Sequence, residues 1–150
     1  MVKKFLMLPA LIVLILILAA TGCKKVEVDQ EAISFADRVT EECLIALNNQ
    51  DYESYKKDLG NEMLDAVPEE EFMKFSSYLK DNVGQYVPGS KEYSSSSIQS
   101  GMILVIYETD YTIETGKVMV GMVISKSDKG IYKISGSWFD SPKLREAEYE

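Results

Sequence analysis

The chain is 150 residues long, with 24 acidic against 16 basic residues for a net charge of −8, and no histidine. That length supplies one hydrophobic core, and the acidity excludes duplex nucleic acid and a polybasic grip on anionic lipid, which both need clustered Lys or Arg. The missing histidine removes Ser-His and Cys-His catalysis and the commonest transition-metal ligand.

The first segment reads Lys3-Lys4, an apolar run over residues 5–20 that Pro9 interrupts, then Thr21-Gly22-Cys23. A basic start, an apolar middle and small residues before a cut mark a secretory signal peptide over residues 1–22. A membrane-spanning helix is the competing reading, but the run falls short of the ~20 residues that cross a bilayer. Thr21-Gly22-Cys23 resembles the lipobox of bacterial lipoproteins, although that family prefers a large aliphatic residue where this chain has Ala20. The alternative is ordinary signal cleavage beside a bystander cysteine. The resemblance implies cleavage before Cys23, lipid attachment at Cys23, and a protein anchored at the cell membrane facing outside the cytoplasm. Two or more acyl chains make such an anchor stable. Residues 23–29 then form the lipidated cysteine and a polar tether reaching ~20 Å at most, which keeps the domain close to the bilayer. Cys43 is the one other cysteine, so no internal disulfide is expected. It falls on an apolar helical stripe and reads as a small buried hydrophobe.

Residues 30–50 read as a helix, because Ala32, Phe35, Ala36, Val39, Cys43, Ala46 and Leu47 recur at three- and four-residue steps. Asp29 caps its start. A short helix is expected over 51–59, stopped by Gly60, and one more turn over 61–66. Pro68 opens a third long helix with Glu69, Glu70 and Glu71 in its first turn, Phe72, Phe75, Leu79 and Val83 on its buried stripe, and Gly84 as its stop. Three consecutive helical carboxylates point in different directions, so they make a poor calcium site, and no metal is expected.

After Gly84 the period changes to two. Residues 86–100 read as an irregular or edge strand, given Pro88-Gly89 and the serine run 94–97. In residues 102–114, Ile103, Val105, Tyr107, Thr109, Tyr111 and Ile113 share one face, while Glu108, Asp110, Thr112 and Glu114 share the other. With Thr115-Gly116 as a two-residue turn, Ile113 opposes Val118, Tyr107 opposes Ile124 and Glu114 opposes Lys117. With a loop at 128–130, Ile124 opposes Ile134, Met122 opposes Gly136 and Val120 opposes Trp138. Both turns gather the apolar residues on one face, so the pattern predicts a three-stranded antiparallel meander. Residues 30–140 are therefore one α+β domain, with N-terminal helices packed on one face of a curved antiparallel sheet, followed by a tail over 141–150.

The phrase Asn49-Gln50-Asp51-Tyr52, the Pro-Glu-Glu-Glu-Phe helix start at Pro68, Gly84-Gln85-Tyr86 and the closing run from Tyr132 to Phe139 follow one another in an order similar to the cystatin-like and nuclear-transport-factor-2-like superfamily. The resemblance implies that fold. That superfamily hosts isomerases, dehydratases, binding modules and dimerisation domains, so it implies no single activity. Its enzymes work in a pocket between sheet and helices, with an acid, histidine or tyrosine pointing inward. Here the inward residues are Tyr107, Tyr111, Tyr132 and Trp138, with no inward acid on the regular strands, so no catalytic residue and no cofactor is expected. Tyr107, Tyr111 and Trp138 are the candidate lining of a pocket for an apolar or aromatic ligand, or else plain core. The opposite face carries Leu104, Ile106, Met119, Val123, Ile131 and Phe139, which is more apolar than a solvated face requires. Either the first strand or the tail covers it, or Met119, Val123 and Phe139 form a contact surface for a second copy or a partner protein. The leading expectation is a lipid-anchored, non-enzymatic interaction module; small-molecule binding in the sheet–helix pocket is second, and an enzyme third.

Overall fold

A computed structural model describes residues 28–147 and Tyr149; the leader, Cys23 and tether residues 24–27 lie outside the described residues. Helix α1, Gln30–Asn49, begins where the Asp29 carboxylate accepts the Glu31 amide, and ends at Gln50, whose φ of 54° turns its N–H back to the Ala46 and Leu47 carbonyls. Its buried face is rich in small residues: Ala32, Ala36, Val39, Thr40, Cys43, Ala46, with Leu44 and Leu47. Small side chains let the helix lie close to the sheet. Asp51 caps the short α2, Tyr52–Lys56, by accepting the Ser54 amide at 3.1 Å. Helix α3, Asn61–Ala66, is a single turn or so. Helix α4, Glu69–Asn82, carries its three glutamates in the first turn and buries Phe72, Ser76 and Leu79. After the sheet, Pro142 opens the short α5, Pro142–Glu146, which Ser141 caps at Leu144.

The sheet has four antiparallel strands in the order β1 (Glu92–Gln99), β2 (Met102–Thr109), β3 (Val118–Lys126) and β4 (Tyr132–Asp140). The helices cover its inner face. The core there joins Ala36, Val39 and Leu44 of α1 and Phe72 and Leu79 of α4 to Val105, Tyr107, Val118, Val120, Ile124 and Ile134 of the sheet. The outer edge of β4 is closed by residues 58–60: Leu59 bridges to Ile134 in parallel, Gly60 N–H donates to the Ile134 carbonyl at 2.8 Å, and Ile134 N–H donates to Asp58 at 3.0 Å. The β1 edge is guarded by its bulge between Tyr93 and Ser95. The start of α1 is fastened to the β3–β4 hairpin, because the Tyr132 hydroxyl donates to Asp29 at 2.5 Å and Lys126 lies 3.8 Å from the same carboxylate.

Two hairpins differ from the registers expected above, with different consequences. Between β2 and β3 the connection is residues 110–117 and not a two-residue turn, so Tyr107 opposes Val120 and Thr109 opposes Val118. The cause is competition for backbone hydrogen bonds. After Thr109 the chain leaves β3 and pairs with residues 83–87: Thr112 N–H donates to Gln85 at 3.0 Å, Ile113 N–H to Val83 at 2.9 Å, and Val87 N–H to Asp110 at 2.9 Å. Gly84 makes this possible, with φ of 88° and no Cβ where one would overlap the Thr112 hydroxyl. The register moves by an even number of residues, so the strands keep their inward faces, but Ile113 is expelled to solvent, 50% exposed. Between β3 and β4 the loop at 128–130 and the pair Ile124–Ile134 are as expected, with Gly130 left-handed at φ 75°. Beyond them a bulge shifts the register between Val123 and Ile124, so Val120 opposes Phe139, Met122 opposes Ser137 and Gly121 opposes Trp138. An odd shift exchanges the faces. Phe139 therefore points inward, and Trp138 points out.

Candidate functional site

The expected pocket is not assembled. Tyr107 is fully buried and Tyr111 nearly so, but Trp138 stands on the other side of the sheet, 38% exposed, with its indole lying where a Cβ on Gly121 would be. Tyr111 comes from the 110–117 connection and packs against Tyr86, with ring centroids 6.0 Å apart. Between α1, α2 and the sheet remains a void of about 10 Å³ beside Cys43, Tyr55 and Phe139, room for one water at most. Burial pushes the Tyr107 and Tyr111 hydroxyls far above their ordinary pKa, and Asp37 adds to this at Tyr107, so both stay protonated. Lys91 lies 4.6 Å over the Tyr107 ring and pairs with Asp37, sealing that end of the interior. Cys43 is buried and its thiol is pushed up to about 12 by desolvation, with Asp58 and Glu42 adding to the shift.

The sequence pattern places Glu114 on the outer face opposite Lys117; the structure places it in the 110–117 connection, buried. Its carboxylate accepts the Thr115 amide at 3.0 Å and the Lys143 amide at 3.1 Å. Desolvation raises its pKa, but hydrogen bonds from Ser141 and from the Lys143, Gly116 and Thr115 amides outweigh this and leave it lowered. Glu114 thus ties the connection to the start of α5. The alternation of residues 102–114 hides this role, because the break in period at Asp110 carries no glycine or proline. Among the described residues no cluster of Cys, Asp and Glu could hold a metal ion.

The outer sheet face has a regular composition once the registers are known. One row across the strands is Ser95, Ile106, Gly121 and Trp138, and the next is Ser97, Leu104, Val123 and Gly136. Met119 lies in the neighbouring row between Glu108 and Asp140. Met119 and Val123 are therefore on the expected face and half-buried, whereas Phe139 is removed from it to the core, where its ring meets Phe75 edge-on at 5.2 Å. Trp138 takes the place assigned to Phe139, displaced by one residue by the bulge. Among the described residues the tail does not lie over Leu104, Ile106, Met119 or Val123; it comes nearest at the β4 edge, where Leu144 and Arg145 border a cleft that Trp138 also lines. Helix α5 sits against α4, where the Tyr78 hydroxyl donates to Leu144 at 3.2 Å, and the Tyr149 ring packs on Tyr78 at 4.9 Å. The roomier depressions are shallow surface clefts, one of about 830 Å³ along α4 beside Tyr149, and one of about 590 Å³ between α3 and the strand ends.

No family model matches the chain, and no curated protein matches it significantly. Among solved structures, it is similar to the crystal structure of an NTF2-like protein of unknown function from Cytophaga hutchinsonii, with 15% sequence identity, coverage of 73% of this chain and 94% of that chain, and a TM-score of 0.36.

Proposed function

We propose that this protein is a membrane-tethered, non-enzymatic contact module, held by lipid on Cys23, that meets a second copy or a partner protein through its outer sheet face. The observation that carries this reading is the contrast between the two faces: the inner one closes over a void of about 10 Å³, while the outer one leaves Leu104, Ile106, Met119 and Val123 without a covering element among the described residues, and Trp138 exposed beside α5. A filled interior offers a ligand no site of the usual several hundred Å³, and tyrosines held protonated inside it offer no general base. An apolar face rimmed by Glu92, Glu108 and Asp140 has the makeup of a protein contact. Light scattering over a concentration series tests the self-contact, with Val123→Asp as the disrupting variant. Photo-crosslinking from position 119 in intact cells tests the partner. Association lost in Val123→Asp, or a defined crosslinked product, is the expected result. A chain that stays monomeric and yields no crosslinked product refutes the proposal.

A further inference from the structure

The tether, the strand directions and the exposed side chains converge on one end of the domain. Asp29, from which the tether leaves, is held by Tyr132 and Lys126, which flank the turn of the β3–β4 hairpin. The β1–β2 hairpin ends beside it, because Met102 follows the turn at Ser100-Gly101 and lines the same cleft as Ser127 and Asp128. Three large apolar residues are exposed at these tips: Ile98 at 40%, Met102 at 42% and Ile131 at 56%. Gly101 and Gly130 make both turns with positive φ, and a Cβ at either would meet open space, so the tips project freely.

We propose that this end is a membrane-docking surface, and that when the protein is anchored the tips at residues 99–102 and 127–131 rest in the headgroup region of the bilayer. The proposal builds on lipid attachment at Cys23. Geometry restricts the choice of face. From residue 23 to residue 29 the chain reaches ~20 Å at most. Helix α1 carries the opposite end ~30 Å farther off, at 1.5 Å per residue. A taut tether cannot bring residues 110–117 to the lipid surface past the body of the domain, so exposed Ile113 is out of reach where Met102 and Ile131 are not. Charge decides the kind of contact. Lys126 and Lys129 at the tips and Lys24 and Lys25 of the tether are matched in number by Asp29, Asp128, Glu27 and Glu31, and Lys126 is already engaged by Asp29. The attraction is therefore apolar insertion beneath the headgroups, independent of anionic lipid.

The test is amide hydrogen exchange on the protein purified with its acyl chains and reconstituted in phosphatidylcholine vesicles, beside the double variant Met102→Asp/Ile131→Asp and the conservative Ile131→Leu. Both positions are exposed, so the fold tolerates the changes, and equal exchange at residues 110–117 in all three proteins verifies it. Intact mass of the same samples reads the anchor. The expected result is acyl mass on Cys23 with residues 99–102 and 127–131 exchanging several-fold more slowly in the wild type and Ile131→Leu than in the double variant. Acyl mass with tips that exchange alike in all three overturns the docking surface alone. Absent acyl mass removes the anchor, and the docking surface with it.

Discussion

The exchange of Trp138 and Phe139 between the faces rests on one bulge in β4, and a double-mutant cycle reads that bulge directly. A methyl group built on Gly121 overlaps the indole of Trp138, so Gly121→Ala must drive the ring off the sheet. The covered part of a Trp that is 38% exposed amounts to something on the order of 100 Å². At ~25 cal/mol per Å², and counting the shelter already present in the unfolded chain, losing it costs about 2 kcal/mol. In a Trp138→Ala background the clash is absent, and Gly121→Ala then stabilises the strand by roughly 0.5 kcal/mol because alanine loses less backbone freedom on folding. The two changes are thus coupled by about 2 kcal/mol. Urea denaturation of the four proteins measures this, through shifts in midpoint at constant slope. Equal effects of Gly121→Ala in both backgrounds would place the indole elsewhere and remove Trp138 from the outer face.

Two further predictions concern groups inside the fold. Cys43, buried with its thiol pushed up to about 12, should resist alkylation in the native protein at pH 8 and react only as the chain unfolds, so that mass-resolved labelling tracks global unfolding; rapid native labelling would mean an opening between α1 and α2. Glu114 titrates below the ordinary glutamate value, so its bonds to the 110–117 connection and to α5 stabilise the fold above about pH 4.3 and are lost as pH falls through the lowered folded value. Measured against their intrinsic exchange rates, the Thr115 and Lys143 amides should lose protection in acid, and already at neutral pH in Glu114→Ala; a Glu114 midpoint at or above the ordinary value contradicts this.

Helices α1 to α4 were legible in the sequence through local signals, since Asp29 caps, Pro68 opens, Gly60 and Gly84 stop, and small or apolar residues recur at helical steps along α1; α5 was not, because residues 141–150 read as a tail although Ser141-Pro142 marks a helix start. The sheet was legible in its alternation and in the 128–130 loop, but not in its pairing. Register depends on which backbone groups compete for a partner, and nothing in residues 102–114 reveals that residues 83–87 will take the last five of them from β3. The two departures differ in weight for a physical reason. The even shift at β2–β3 leaves Val105, Tyr107 and Val120 in the core, so the fold class survives it. The bulge in β4 shifts by one, which took Trp138 out of the candidate pocket and Phe139 out of the candidate surface. Gly121 held the clue, since a glycine inside an otherwise apolar strand marks the close approach of a neighbouring group.

The two proposals constrain each other. A domain resting on its 99–102 and 127–131 tips has strands that run away from the bilayer, so the outer sheet face stands upright and meets neighbours in the plane of the membrane. Four strands at ~4.8 Å spacing and ~25 Å length give that face a footprint of roughly 500 Å². A standard stable interface buries about 800 Å² on each partner. The face by itself therefore supports weak association in solution, and confinement to a surface, which raises the effective concentration to about the mM scale, is what makes such a contact productive. Val123→Asp should accordingly abolish crosslinking on membranes, and in solution it should remove association only at the upper end of a concentration series. A soluble dimer in the nM range that survives Val123→Asp would show that the contact lies outside this face.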